Sequence, residues 1–295
     1  MNKEVIDSYL NSLRELNRYS ENTVLSYQMD LNEFSHYLDS KNLDYRNLSY
    51  DDVRSFSARL NSKDKNSTID RKISTLRGFY NYLLEQKKVE KNIFKMLPLP
   101  KKEKKLPRFF YYNELEELLN TPDITSALGA RDQAIIETFY STGVRVSELL
   151  NIKKEDIDFS SRTIKVMGKG KKERLVFFGD YLVQSLTRYL DNFYESLKVD
   201  DTHYIFLNSK GKKLTRRGAY YILDRVIKKT SLTKKISPHV LRHTFATHLL
   251  NEGCDILSVK ELLGHESLGA TSIYTHVTDE QIKNVYYKAH PRAKK

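Results

Sequence analysis

Apolar positions across the first hundred residues recur at three- and four-residue steps, and nowhere in that stretch do they alternate. Val5, Ile6, Tyr9, Leu10 and Leu13 form one helical stripe. A longer one follows Ser20, a candidate N-cap, through Val24, Leu25, Tyr27, Met29, Leu31, Phe34 and Leu38. Ser49 and Asp52 have the spacing of a capping box ahead of Val53, Phe56 and Leu60, with Asp in place of the preferred Glu or Gln. Residues 66–86 carry Ile69, Ile73, Leu76, Phe79, Tyr80 and Leu83 at helical steps. The pattern predicts a bundle of four or five helices over residues 1–98.

Pro98, Pro100 and Pro107 then bracket the run from Lys101 to Lys105, which is too charged to bury itself and reads as a linker over 99–107. It is either simply solvated or, through Lys101 and Lys102, able to touch a polyanion as well. Helical spacing resumes at 113–120 and 130–141, the latter stopping at Thr142-Gly143. Residues 157–178 change character. Ile157, Phe159, Ile164, Val166 and the run Leu175 to Phe178 are β-type, broken by Ser160-Ser161 and by a Gly/Lys-rich turn at 168–172, which predicts a small antiparallel meander. Helices are expected again at 180–197, 217–229, 238–251, 255–263 and 279–288. The chain is therefore expected to be mainly α with a small antiparallel β-sheet, in two domains, 1–98 and 108–295.

Composition narrows the possibilities. No stretch approaches the roughly 20 apolar residues of a membrane span. The N-terminus lacks the apolar core of a secretion signal, and Cys254, the sole cysteine, can form neither an internal disulfide nor a zinc site. A cytoplasmic protein without membrane attachment is expected. The 50 Lys+Arg against 38 Asp+Glu leave a net charge of +12, of which residues 1–100 hold only +2 and residues 101–295 the remaining +10. Such an excess suits either solubility or a nucleic-acid partner, and it is concentrated in the second domain.

Four segments there could carry chemistry. Ser237-Pro238 opens a helix whose first turn presents His239 and Arg242 on one face, beside backbone N–H groups and the positive end of the helix dipole. That is a ready phosphate site, or else a surface His and a salt-bridged Arg. Arg145 and Glu148 sit among Val144, Val146, Leu149 and Leu150, so the Arg requires a carboxylate or a phosphate partner, and both can hold together. Lys169 is at the tip of a hairpin with Lys171, Lys172 and Arg174 nearby; these could reach a ligand, track a DNA backbone or be merely solvated, and the spacing is not that of a Walker A loop. Last, Leu262-Leu263-Gly264-His265 precedes Ile273-Tyr274-Thr275-His276-Val277. His243, His248 and His276 lack the spacing of a zinc set, so no metal and no cofactor is expected.

Taken in order, Arg145, Lys169, His239, Arg242, His265 and Tyr274 resemble the active-site series of the tyrosine recombinases, and Glu148 matches their companion acidic position. The runs HVLRHTFATHLL, LLGH and IYTHV are specific in combination. The resemblance covers nearly the whole chain, and the compact length and the tail Ala289-His290-Pro291-Arg292-Ala293 look most like the Xer group. It implies a SAM-like helical core-binding domain that clamps DNA and a catalytic domain over 108–295 in which Tyr274 is the nucleophile and forms a 3′-phosphotyrosyl bond. It further implies recombination through a Holliday junction, a homo- or heterotetramer with a related recombinase on double-stranded DNA, and resolution of chromosome dimers at cell division with a septal DNA translocase. The C-terminal helix would dock on a neighbouring protomer; its apolar stripe would equally suit its own domain. A mobile-element integrase would share this chemistry. A type IB topoisomerase or a non-catalytic DNA-binding module would share only parts of it.

Overall fold

The computed structural model describes residues 3–15, 19–98, 109–168, 172–264 and 279–293. It divides into two compact units, Met1–Lys105 and Leu106–Lys295. The expected linker, with Lys101 and Lys102, lies outside the described residues, as do Lys169, Lys171, His265, Tyr274 and His276.

The first unit is α1 (Lys3–Glu15), α2 (Glu21–Lys41), α3 (Tyr50–Asn61), α4 (Asn66–Glu85) and a 3₁₀ turn, Ile93–Met96. Its helix starts are written locally. Ser20 Oγ accepts from Thr23 N at 3.3 Å. Ser49 Oγ accepts from Asp52 N at 3.2 Å while Asp52 accepts from Ser49 N at 2.9 Å, so Asp closes the box as Glu would. Inside, Phe34, Phe56, Tyr80 and Phe94 meet edge-on or tilted, with centroids 4.9–6.4 Å apart. The buried stripe of α2 is narrower than the sequence suggests. Val24, Leu31, Phe34 and Leu38 are fully buried, whereas Leu25 and Met29 are exposed, because at 100° per residue they fall on the side of the helix away from that stripe. Asp30 is buried instead, and Arg71 and Thr75 of α4 bind its carboxylate.

The second unit is built around α6 (Ala127–Thr142), whose residues from Ala130 onward are nearly all buried, as befits a helix enclosed on every side. It is flanked chiefly by α8 (Asp180–Asn192) and α11 (Pro238–Asn251), with α5 (Tyr112–Asn120) beside them. A one-turn α7 (Val146–Leu149) leads to a three-stranded antiparallel sheet in the order β1 (Ile157–Asp158), β2 (Thr163–Met167), β3 (Glu173–Phe177). In its register Ile164 faces Val176 and Val166 faces Arg174. The helix expected over 180–197 is broken at Phe193, with a short α9 (Tyr194–Leu197) after it. After the break, the Tyr194 hydroxyl donates to the carbonyls of Thr202 and Tyr204 at 3.1 and 3.0 Å. The remaining helices are α10 (Arg216–Ile227), α12 (Ile256–Leu262) and α13 (Asp279–Ala289). Among the described residues, no helix is long and apolar enough to cross a membrane.

Helix α13 packs on its own unit, against α12 and β3. Ile282, Tyr286, Ala289 and Ala293 enter the core, and the Tyr287 hydroxyl donates to Phe178 O at 2.9 Å. Beyond the helix, the His290 ring stacks on Tyr286 at 5.0 Å and meets Tyr140 at 4.9 Å. Arg292 Nε donates to the buried Glu137 carboxylate at 2.8 Å. Burial pushes the imidazole of His290 from an ordinary value of 6.5 down to about 3. Between those two values the unfolded chain binds a proton that the folded chain refuses, so stability falls as pH drops through 6.5 toward 3. At pH 4.5 the loss should be roughly 2–3 kcal/mol. Thermal unfolding of the wild type and of His290→Phe across pH 7 to 4 measures it: the variant's midpoint should fall less steeply, and parallel curves would refute a buried neutral His290.

Candidate active site

The turn Thr142-Gly143-Val144-Arg145 sets the geometry. Gly143 caps α6 at φ 61°, a left-handed conformation that β-carbon-bearing residues avoid, and a Cβ there would lie 2.6 Å from the Phe245 ring of α11. The chain then reverses, and Arg145 becomes the N-cap of α7. Glu148, three residues on, folds back: its carboxylate accepts from Arg145 N at 2.8 Å and from Arg145 Nη1 at 2.9 Å. The Glu148 side chain is 1% exposed and that of Arg145 is 35% exposed, so the carboxylate is sealed in while part of the guanidinium faces outward.

Arg242 reaches the same place from the first turns of α11, where Ser237 Oγ accepts from Val240 N at 3.3 Å and Pro238 occupies the first position. Its Nη1 donates to Gly143 O and its Nη2 to Leu263 O, the latter at 2.5 Å. Arg145 Nη2 donates to Gly264 O at 3.1 Å. These acceptors are neutral backbone carbonyls at the C-terminal ends of α6 and α12, where the helix dipoles are negative. They hold the guanidiniums in place without cancelling their charge. Burial, with Arg145 nearby, lowers the pKa of Arg242 to about 10, which still leaves it cationic at neutral pH.

Arg174 on β3 is the third guanidinium of the cluster. Its Nη2 donates to the Glu148 carboxylate at 2.8 Å, and its side chain is only 17% exposed. Arg145 and Arg174 thus share one carboxylate, while Arg242 beside them rests on carbonyls. The surplus of two positive charges would attract a phosphodiester and still more a transition state carrying a second negative charge. His239 is exposed one turn before Arg242, and Lys172 is exposed at the foot of the hairpin. Gly264 is the last described residue before His265. His248 is fully committed elsewhere: its Nε2 is 2.9 Å from Phe110 O and its Nδ1 2.9 Å from the Tyr140 hydroxyl. Burial lowers its pKa, so it is a neutral core histidine bridging α11 to α6 and to Phe110. The carbonyls of Gly143, Leu263 and Gly264 had no signal in the sequence beyond the glycines themselves, because a carbonyl's aim is set by backbone angles.

The family model described as "Phage integrase family" matches residues 108–281, and that described as "Phage integrase, N-terminal SAM-like domain" matches residues 6–87. The tyrosine recombinase XerC of Staphylococcus saprophyticus is 46% identical over 295 residues, covering 99% of both chains. That of Staphylococcus aureus is 45% identical over 290 residues, covering 98% of this chain and 97% of its own. The solved XerH site-specific recombinase, bound to its difH substrate in a pre-cleavage complex, shares the fold with a TM-score of 0.67 at 24% identity, covering 97% of this chain and 88% of that one. The chain belongs to the phage integrase family and is a site-specific tyrosine recombinase.

Gly143→Ala tests the local geometry. A methyl group there would strain the turn and collide with Phe245, with an expected loss of about 1–3 kcal/mol in chemical denaturation and a displaced acceptor for Arg242. An unchanged midpoint would show that the turn relaxes freely.

Proposed function

We propose that this chain cuts and rejoins double-stranded DNA through a 3′-phosphotyrosyl intermediate and a Holliday junction, and that it resolves chromosome dimers at cell division. The observation that carries the reading is the pair Arg145 and Arg242, half-buried and buried, held by carbonyl acceptors, with Glu148 the carboxylate on Arg145 among the described residues. A scissile phosphate seated there receives planar, paired donors on its non-bridging oxygens, which lysine cannot match. The Tyr274 hydroxyl attacks phosphorus; the Tyr–O–P bond forms as the bond to the 5′-oxygen breaks. His239 takes part in removing the phenolic proton, Lys169 delivers a proton to the departing 5′-oxygen, and His265 hydrogen-bonds the phosphate. The free 5′-hydroxyl of another strand then attacks the phosphotyrosyl link, so no ATP is consumed.

Four protomers, identical or shared with a related recombinase, hold two DNA sites during exchange, and α13 moves from its own unit to a neighbour in that assembly. Lys171, Lys172, Lys101 and Lys102 serve DNA binding in this reading; Arg174, expected to join them, instead turns inward to the buried Glu148 carboxylate. A septal DNA translocase brings the sites together, and the reaction takes place in the cytoplasm. The supports are the similarity to the XerC proteins over nearly the full chain and the charge surplus of the second domain.

Incubation with a nicked suicide DNA substrate, followed by mass spectrometry of the adducted peptide, should locate the covalent link on Tyr274 and should succeed in EDTA. Tyr274→Phe should abolish the adduct with DNA binding nearly intact; loss of binding instead would make Tyr274 structural. Affinity should fall steeply as salt rises from 50 to about 200 mM, by counterion release. An affinity indifferent to salt, measured by fluorescence anisotropy, would count against a phosphate-gripping face.

A further inference from the structure

Arg174 is too enclosed to serve as a surface contact to DNA. Its Nε and Nη1 are buried and make no hydrogen bond among the described residues, and its Nη2 is committed to Glu148. What it touches is informative. The guanidinium of Arg145 has two anchors, Glu148 Oε1 through Nη1 and Gly264 O through Nη2. Arg174 braces both. It holds the other oxygen of the Glu148 carboxylate, and it lies directly beneath Gly264, where an added Cβ would sit 2.4 Å from Arg174 Nε. Gly264 is at φ +62°, so the close approach and the turn both depend on its lacking a side chain.

We propose that Arg174 is a positioning residue for strand cleavage, acting through Glu148 and Gly264 to hold Arg145 against the scissile phosphate. The inference rests on the recombinase reading above. Glu148 alone does not fix Arg145: with Arg174 gone, Oε2 keeps only the Arg145 backbone N–H, and the carboxylate is free to rotate away from Nη1. Lysine could not replace Arg174, since one ammonium cannot present the planar fork that spans a carboxylate on one edge and a backbone turn on the other. Burial and the charge of Arg145 lower the pKa of Arg174 while Glu148 raises it, which is the balance expected of a cation retained for its contacts rather than for solvent. Its position on β3 opposite Val166 gives it a rigid root.

The test uses the full-length protein and single-turnover adduct formation on a nicked suicide substrate, with either an ordinary phosphodiester or a neutral methylphosphonate at the scissile position. Arg174→Gln should slow adduct formation on the phosphodiester about 10- to 100-fold, as expected for a misplaced catalytic group, while DNA affinity stays nearly unchanged. The defect should shrink on the methylphosphonate, whose phosphorus centre demands less neutralisation. Combining Arg174→Gln with Arg145→Ala should be no slower than Arg145→Ala alone, because the two act as one unit. Arg174→Lys, which retains charge and most of the bulk, should fold like the wild type and remain slow. Additive losses would mean that Arg174 meets the phosphate independently. Equal losses on both substrates together with a lowered unfolding temperature would mean that it only supports the fold. Weakened binding at an unchanged adduct rate would make it a backbone contact. Each of these three overturns the proposal. Wild-type protein that forms no adduct would instead remove the recombinase chemistry on which it stands.

Discussion

A site that must neutralise a phosphate has to gather cations inside protein without neutralising them first. Carboxylate partners would satisfy the buried guanidiniums but cancel the charge. Here most of the acceptors are peptide carbonyls. Arg242 is held by Gly143 O and Leu263 O, and Arg145 by Gly264 O, with Glu148, among the described residues, the one carboxylate shared by Arg145 and Arg174. Elsewhere in the same unit the opposite solution appears. Glu137 pairs one-to-one with Arg292 and also accepts from Ser141, a closed and neutral arrangement that ties the tail to α6.

The architecture of the second unit follows from that constraint. The C-terminal ends of α6 and α12 supply the carbonyls, the first turns of α11 supply Arg242, and α7 supplies Arg145 with its own counterion three residues away. Two glycines in left-handed conformations, Gly143 and Gly264, let these chain ends approach side chains closely enough to bond them. The antiparallel hairpin contributes Arg174 from its second strand, so the sheet, small as it is, braces the floor of the site. A site assembled from several helix ends is rigid because each end is already rooted in the core, where Phe139, Tyr140 and Phe245 are fully buried.

Much of the secondary structure was legible because its determinants are local. The serine caps at Ser20, Ser49 and Ser237 hydrogen-bond their own helices, and the stripes of α1, α3 and α4 bury the residues their spacing indicates. The misreadings have physical causes. Leu25 and Met29 of α2 are apolar yet exposed, and Asp30 is polar yet buried, because Arg71 and Thr75 on another helix supply its partners. The break at Phe193 falls in a run with no glycine or proline to mark it.

The order of basic and histidine residues along the chain was enough to indicate phosphate chemistry, and the pair Arg145 and Glu148 could be matched at i and i+3 because one helical turn imposes their meeting. Residue types and short spacings carry that much. That Arg242 ends on two carbonyls, that Arg174 turns inward to Glu148 rather than out to solvent, and that His248 is spent on Phe110 and Tyr140 all depend on segments dozens of residues apart. Such contacts arise only when cores close and backbone angles aim the peptide groups, and neither is encoded in any local stretch of chain.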